Sequence, residues 1–295
     1  MAELLRFKGR VNELARGMQV RRVLPNAMKR SVGPFVFFDH FGPVDIPADM
    51  DNDVGGHPHI GLATVSYLFE GSLMHRDSIG SEQLITPGAI NWMTAGRGIV
   101  HSERVPDQDR NKARRIHGLQ LWVALPPRLE EIEPAFQHVS NSDIPEVGCP
   151  NGVKLRVLVG AALGLHSPVQ TASPTLYLDV QMPANSAWEL PALFTEMAIY
   201  SPEHALSVFD QAIEKQEMTV LPSGVDCTVF AGAPGARFVV IGGAPLEQPV
   251  HMWWNYVSTD KQRIAHAANL WSSGGFDPIP GDPQRITSPV FSNHE

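Results

Sequence analysis

The sequence predicts an all-β protein of two stacked antiparallel β-barrels, with one helix near the C-terminus. Three observations carry this reading. Glycine and proline number 25 each in 295 residues, well above their usual combined share of about 12%. They recur between short apolar runs, which is how a chain of many strands and tight turns reads. At about 100–200 residues per domain, the length predicts two domains, and the apolar share of 43% supplies a core for each.

The clearest strand is Thr175–Met182. Leu176, Leu178, Val180 and Met182 share one face, and Tyr177, Asp179 and Gln181 the other, the period-two pattern of a half-buried strand. Further strands are expected at 35–38, 64–69, 82–86, 89–93, 118–125, 153–159, 205–209, 218–221, 227–230 and 237–241, each closed by turn residues. Such spacing leaves no room for alternating helices. A proline-rich linker is expected over 126–152, with a helical turn at 129–132, which divides the chain into domains 1–133 and 134–295. The segments "SEQLITPG" (81–88) and "QEMTVLPSG" (216–224) share a grammar of polar turn, short strand, proline and glycine, which suggests one barrel type used twice. Near the end, Thr259 and Gln262 match a capping box. Ile264, Ala268 and Trp271 then follow at helical spacing, and Gly274–Gly275 supply the stop.

Composition excludes several functions. A net charge of -8 with 18% charged residues argues against nucleic acid, which needs a clustered basic face. Met1–Gly17 has no apolar signal core, and the longest apolar stretch, Val157–Leu165, is too short to span a bilayer. Cys149 and Cys227 stand far apart in no paired motif and are expected as free thiols, which places the protein in the cytoplasm.

The chemistry concentrates in two short segments. His57-Pro58-His59 is followed, 42 residues after His59, by His101-Ser102-Glu103. Residues at i and i+2 on a strand point from the same face. Two such strands can bring His57, His59, His101 and Glu103 to one ion. Three imidazoles and a carboxylate suit Fe(II) first, with Ni, Mn, Co, Cu or Zn as alternatives. No cysteine joins the set, which argues against a closed structural zinc site. Pro58 cannot donate to a ladder and belongs at an edge or bulge. Gly96 and Gly98 allow a tight turn before His101. The remaining histidines, His75 among them, default to surface or hydrogen-bonding roles.

These residues resemble a known family. "GHPHIGLATVSYLFEG" (56–71) and "PGAINWMTAGRGIVHSE" (87–103) look like the signature of the pirins, a branch of the cupin superfamily. "ELARGMQVRRVLP", "PFVFFDHFGP", "RDSIGSEQLI" and "GLQLWVALP" extend the likeness through residues 9–126, and "SPTLYLDVQM" and "FVVIGGAPLEQPV" carry it more loosely into the second half. The cupin pattern H-x-H-x4-E-x6-G is met by His57, His59 and Gly71, but Thr64 stands in the glutamate slot. Pirins share this departure. The resemblance implies a bicupin of jelly-roll barrels, metal ligands His57, His59, His101 and Glu103, iron as the ion, and a second barrel without metal.

Two functions follow from the resemblance. One is a quercetin 2,3-dioxygenase that opens a flavonol with O2, with Glu103 as catalytic base and Phe37, Phe38 and Trp92 as candidate pocket walls. Each of these aromatics has an ordinary core role as the default. The other is a non-enzymatic, redox-responsive regulatory cofactor for a protein partner, with Arg97, Arg104 and Arg115 as candidate charges near the ion.

Overall fold

The computed structural model describes residues 4–15 and 18–291. Met1–Glu3, Arg16 and Gly17, within the stretch searched for a signal core, lie outside them. The chain packs as two units that interleave along the sequence. One holds Arg21–His40 and Ser142–Pro245 with the strand Leu5–Lys8; the other holds Phe41–Asn141 and residues 246–291.

Both units are built from antiparallel sheets in the same order. The later unit has a four-stranded sheet of Ser186–Leu190, Cys227–Ala231, Leu206–Val208 and Gln211–Ile213. Its seven-stranded sheet runs Leu5–Lys8, Glu217–Val220, Glu196–Tyr200, Ala236–Gly243, Thr175–Met182, Lys154–Val159 and Glu146–Gly148. The other unit repeats this with Val54–His59, Ile99–Arg104, Leu73–Asp77 and Glu82–Ile85 in four strands. Its larger sheet begins Ala135–Val139, Ile90–Thr94, Leu62–Glu70, Arg114–Ala124, and continues through Phe35–Ile46, Met18–Leu24 and Arg10–Ala15. The expected barrels are therefore open pairs of antiparallel sheets. The repeat is real, but the motif match offered for it is one strand out of phase. Glu82–Ile85 holds the place of Gln211–Ile213, whereas Glu217–Val220 holds the place of Ile90–Thr94.

Three local expectations change. Thr175–Met182 alternates as read, yet it is buried on both faces. Tyr177 lies against Phe35, and Asp179 is fully buried because Arg237 donates to both its carboxylate oxygens, at 3.0 and 2.6 Å. The linker is not all exposed connection, since Ala135–Val139 pairs with Ile90–Thr94. Its helical turn falls earlier than expected, at Pro127–Leu129. The helix spans Lys261–Ser273 and is capped by Asp260, whose side chain accepts from the Gln262 amide. The Thr259 amide instead donates to Glu130. Gly274 ends the helix in the left-handed conformation, as read. Ile264, Ala267 and Ala268 pack with Ile60 and Tyr256, and Trp271 with Val100 and Ile279. This helix buries its apolar stripe on the unit that holds the histidine strands.

Candidate metal centre

Local sequence explains how the histidines meet. Val54–His59 is the edge of its four-stranded sheet, which tolerates Pro58 and its missing amide donor. It pairs with Ile99–Arg104 so that Ile99 faces His59, Val100 faces Pro58 and His101 faces His57. Directly opposed residues share a face, so all three imidazoles project to one side. Gly96 makes the turn that delivers His101. Its φ is +52°, and a Cβ there would lie 1.9 Å from the Ile132 carbonyl oxygen. Beyond His101 the register shifts and Glu103 faces Val54. Gly55 and Gly56 together therefore oppose Ser102 alone, a β-bulge that re-aims the strand at the start of the histidine pair.

The three side chains are buried, and one ring nitrogen from each lies within 4.8 Å of the others. His59 Nε2 and His101 Nε2 are 3.1 Å apart, and the ring centroids are 4.2, 5.0 and 5.2 Å apart. His57 Nδ1–H donates to the Gly55 carbonyl at 2.8 Å, and His59 Nδ1–H to the Asn255 carbonyl at 3.0 Å. Those bonds fix the tautomer that leaves each Nε2 lone pair directed inward, as outer partners do for ligating histidines. Two nitrogens each about 2.1 Å from one ion at a right angle would be about 3.0 Å apart. The His59–His101 separation matches that spacing. His101 Nδ1 is buried without a partner. The donor set therefore fits a divalent metal ion.

Electrostatics agree. Burial lowers the pKa of all three histidines, His57 to about 4, and each imidazolium would repel its neighbours. Neutral imidazoles are the form that binds metal. Glu103 is half-buried and stands outside the 4.8 Å cluster. Burial pushes its pKa up to about 7, and a cation beside it would favour the ionised form again.

Two residues at the site were missed by sequence reasoning. His75 and Asp77 lie on Leu73–Asp77, where they face Glu103 and His101 respectively. Both are buried, with His75 Nε2 bonded to Asp77 Oδ2 at 2.9 Å. The His75 ring is 5.3 Å from that of His101 and stacks on Phe136 at 4.4 Å. Asp77 Oδ1 in turn accepts from the Ser81 and Ile79 amides. The signal was present in the i, i+2 spacing of His75 and Asp77.

The other nominated residues fall elsewhere. Trp122, not Trp92, lies edge-on to His59 at 5.1 Å. Trp92 is a buried aromatic whose indole N–H reaches Thr94 Oγ1. Phe37 lies under the Arg22 guanidinium and Phe38 against Tyr200, both in the other unit, so all three keep the core role. Thr64, in the glutamate slot of the cupin pattern, belongs to the larger sheet and pairs with Trp122. Arg97 is exposed and paired with Glu133, and Arg115 with Asp45 and Glu70. Arg104 is buried, and its charge helps depress the His57 pKa.

Known proteins resemble this chain along most of its length. Residues 17–123 match the family model described as Pirin, and 177–277 match the Pirin C-terminal cupin domain. A pirin-like protein of Caulobacter vibrioides is 39% identical over 273 residues, covering 91% of this chain and 92% of the relative. A crystal structure of a quercetin 2,3-dioxygenase from Acinetobacter baumannii superposes with a TM-score of 0.90 at 34% identity, covering 99% of this chain and 97% of that one. A second so named, from the same organism, gives 0.85 at 26% identity, covering 92% and 97%.

Proposed function

The chain belongs to the pirin family, and from that footing we propose that it is a metal-dependent dioxygenase that opens flavonols such as quercetin with O2, releasing carbon monoxide. The observation that carries the reading is the histidine cluster, with two tautomers fixed so that their Nε2 atoms face one point. In this reading His57, His59, His101 and Glu103 hold one divalent ion, Fe(II) first. When bound, the ion supplies Lewis acidity toward a hydroxyl and positions for substrate and dioxygen. The likeness to the Acinetobacter dioxygenases supports the substrate class.

The protein's own groups do the rest. Glu103 accepts the proton of the substrate hydroxyl, a role suited by its place opposite His75, two residues beyond His101, and by the burial that raises its pKa to about 7. Trp122 beside His59 and Phe136 over His75 give the site flat apolar surfaces for an aromatic substrate. Asp77 orients His75 next to His101, and burial of the histidines keeps bulk water from their rings.

The second unit serves as a partner without metal. The two strands in the equivalent places point Trp188, Leu190, Cys227, Val229 and Ala231 into its apolar core. The regulatory alternative gains no specific support, because Arg97 and Arg115 are engaged in ion pairs.

The test is aerobic incubation with quercetin, following its visible absorbance with the metal-stripped protein and after reconstitution with Fe(II). Loss of absorbance with release of carbon monoxide is expected only after reconstitution. A fully loaded protein that leaves quercetin intact defeats this reading.

A further inference from the structure

We propose that residues 282–286, near the C-terminal end, are a positioning element of the metal centre: they clamp, from outside, the bulge that aims His57 and the strand that carries His101 and Glu103. The inference rests on the metal reading above. Asp282 is its principal residue.

The bulge needs an outside partner. Because Gly55 and Gly56 oppose one residue, the ladder with Ile99–Arg104 cannot satisfy all their backbone groups. The Gly55 carbonyl is taken by His57 Nδ1. The Gly56 amide donates to the Gln284 carbonyl at 2.8 Å, and the Gly56 carbonyl accepts from the Ile286 amide at 2.9 Å. Glycine suits this close approach, since a Cβ at position 56 would lie a tight 3.1 Å from the Gln284 oxygen. The bulge is thus paired to the C-terminal segment by two backbone bonds next to the first histidine.

The opposite strand is held by the same segment. Ser102 and Arg104 alternate with His101 and Glu103, so they point to the other face. There Ser102 Oγ donates to Asp282 Oδ2 at 2.7 Å. Arg104 Nε reaches Oδ2 at 2.8 Å and Nη2 reaches Oδ1 at 2.5 Å, a bidentate fork, while Nη1 donates to Gln284 Oε1 at 2.8 Å. Ser102 is fully buried and Arg104 is 5% exposed, so the pair is shielded from screening solvent. The segment is anchored at both ends. Ile279 packs with Val100 and Trp271, and Arg285 lies 3.6 Å over the Trp271 ring while donating to its carbonyl. Because Gly56, Ser102 and Arg104, the residues this segment holds, each adjoin a ligand candidate in sequence, a shift on the outer face becomes a rotation on the inner one.

The experiment measures Ni(II) affinity of the full-length protein by titration, and the visible spectrum of its Co(II) form. Asp282→Ala is expected to weaken Ni(II) binding about 10-fold or more, the scale of outer partners at metal sites, and to change the Co(II) band. Asp282→Asn keeps part of the fork and should give a smaller loss in the same direction; it decides the matter if the alanine variant does not fold. Arg263→Ala is the control. It removes a bond to buried Glu130 in the same unit, so it should lower Tm while leaving Ni(II) affinity within about two-fold. Unchanged affinity in folded Asp282 variants overturns the clamp and leaves the metal reading standing. An equal loss in Arg263→Ala also overturns it, since loosening of the unit would then suffice. A parent protein that binds no ion defeats both.

Discussion

Three neutral histidines buried together should make the metal-free protein acid-sensitive, and His57 allows the size to be worked out. Its pKa falls from an ordinary 6.5 to about 4 on folding, chiefly through burial. The depressed value means that the unfolded chain binds the proton first. Stability is therefore fully present above about pH 6.5, and is lost progressively as pH falls toward 4. At about 1.4 kcal/mol per pH unit, the complete loss from His57 is about 3 kcal/mol, and about 2 kcal/mol of it has gone by pH 5. His59 and His101 shift in the same direction and add to it. The perturbation is His57→Gln, which removes the titrating group and relieves its neighbours of its charge. The assay is urea unfolding in a chelator at pH 7.5 and 5, followed by tryptophan fluorescence. Five of the six tryptophans (Trp92, Trp122, Trp253, Trp254 and Trp271) lie in the histidine-bearing unit, so the signal reports mainly on it. With a slope of about 2 kcal/mol per molar urea, the parent midpoint should drop about 1 M further than the variant's. If the two midpoints fall in parallel, the histidines are already solvated or charged, and the argument from burial is wrong.

Three further outcomes are expected. Elemental analysis at saturation should give about one ion per chain, because the equivalent strands of the second unit present only apolar or small side chains inward; two tightly held ions would contradict this. His59→Ala or His101→Ala should abolish metal binding while near-UV dichroism stays native, since each unit has its own apolar core and the ion adds stability only by mass action. Glu103→Gln, compared at matched metal occupancy, should cut quercetin turnover by about 10²-fold or more. Turnover within a few-fold of the parent would make Glu103 a ligand and nothing more.

Much of the fold and part of the site were legible in the sequence, for physical reasons that differ by element. Strands such as Leu62–Glu70 and Ala236–Gly243 announce themselves because runs of β-branched and aromatic residues end at glycine or proline. The histidine pairs were legible because a two-residue period ties spacing to facing. Leu73–Asp77 was not read as a strand, since "LMHRD" is short and puts a histidine and an aspartate, with Arg76 between them, where a strand usually shows apolar residues; Met74 and Arg76 are half-buried. Its His75 and Asp77 are buried only because they satisfy each other and the Ser81 and Ile79 amides. The helix cap was misplaced by one residue because Thr259 and Asp260 can both cap, and Glu130 captures the Thr259 amide. That choice is tertiary, and no local pattern encodes it.

The two units also separate what folds the chain from what the chain can do. Their sheets have the same order, so the topology requires no histidine. Where one unit places Trp188, Leu190, Cys227 and Val229, the other places His57, His59 and His101 at the cost of burying imidazoles whose protonation is suppressed. An apolar filling stabilises directly by leaving water. The histidine filling must be held by specific bonds instead: Gly55 and Asn255 on the outer ring nitrogens, and Asp282 and Gln284 on the strands behind them. Those partners come from a bulge, from the turn at Asn255 and from residues 282–286, features that a barrel does not need in order to close. Polar groups at these inward positions, which the like-built unit fills with apolar side chains, are what the proposed metal centre requires and the fold does not.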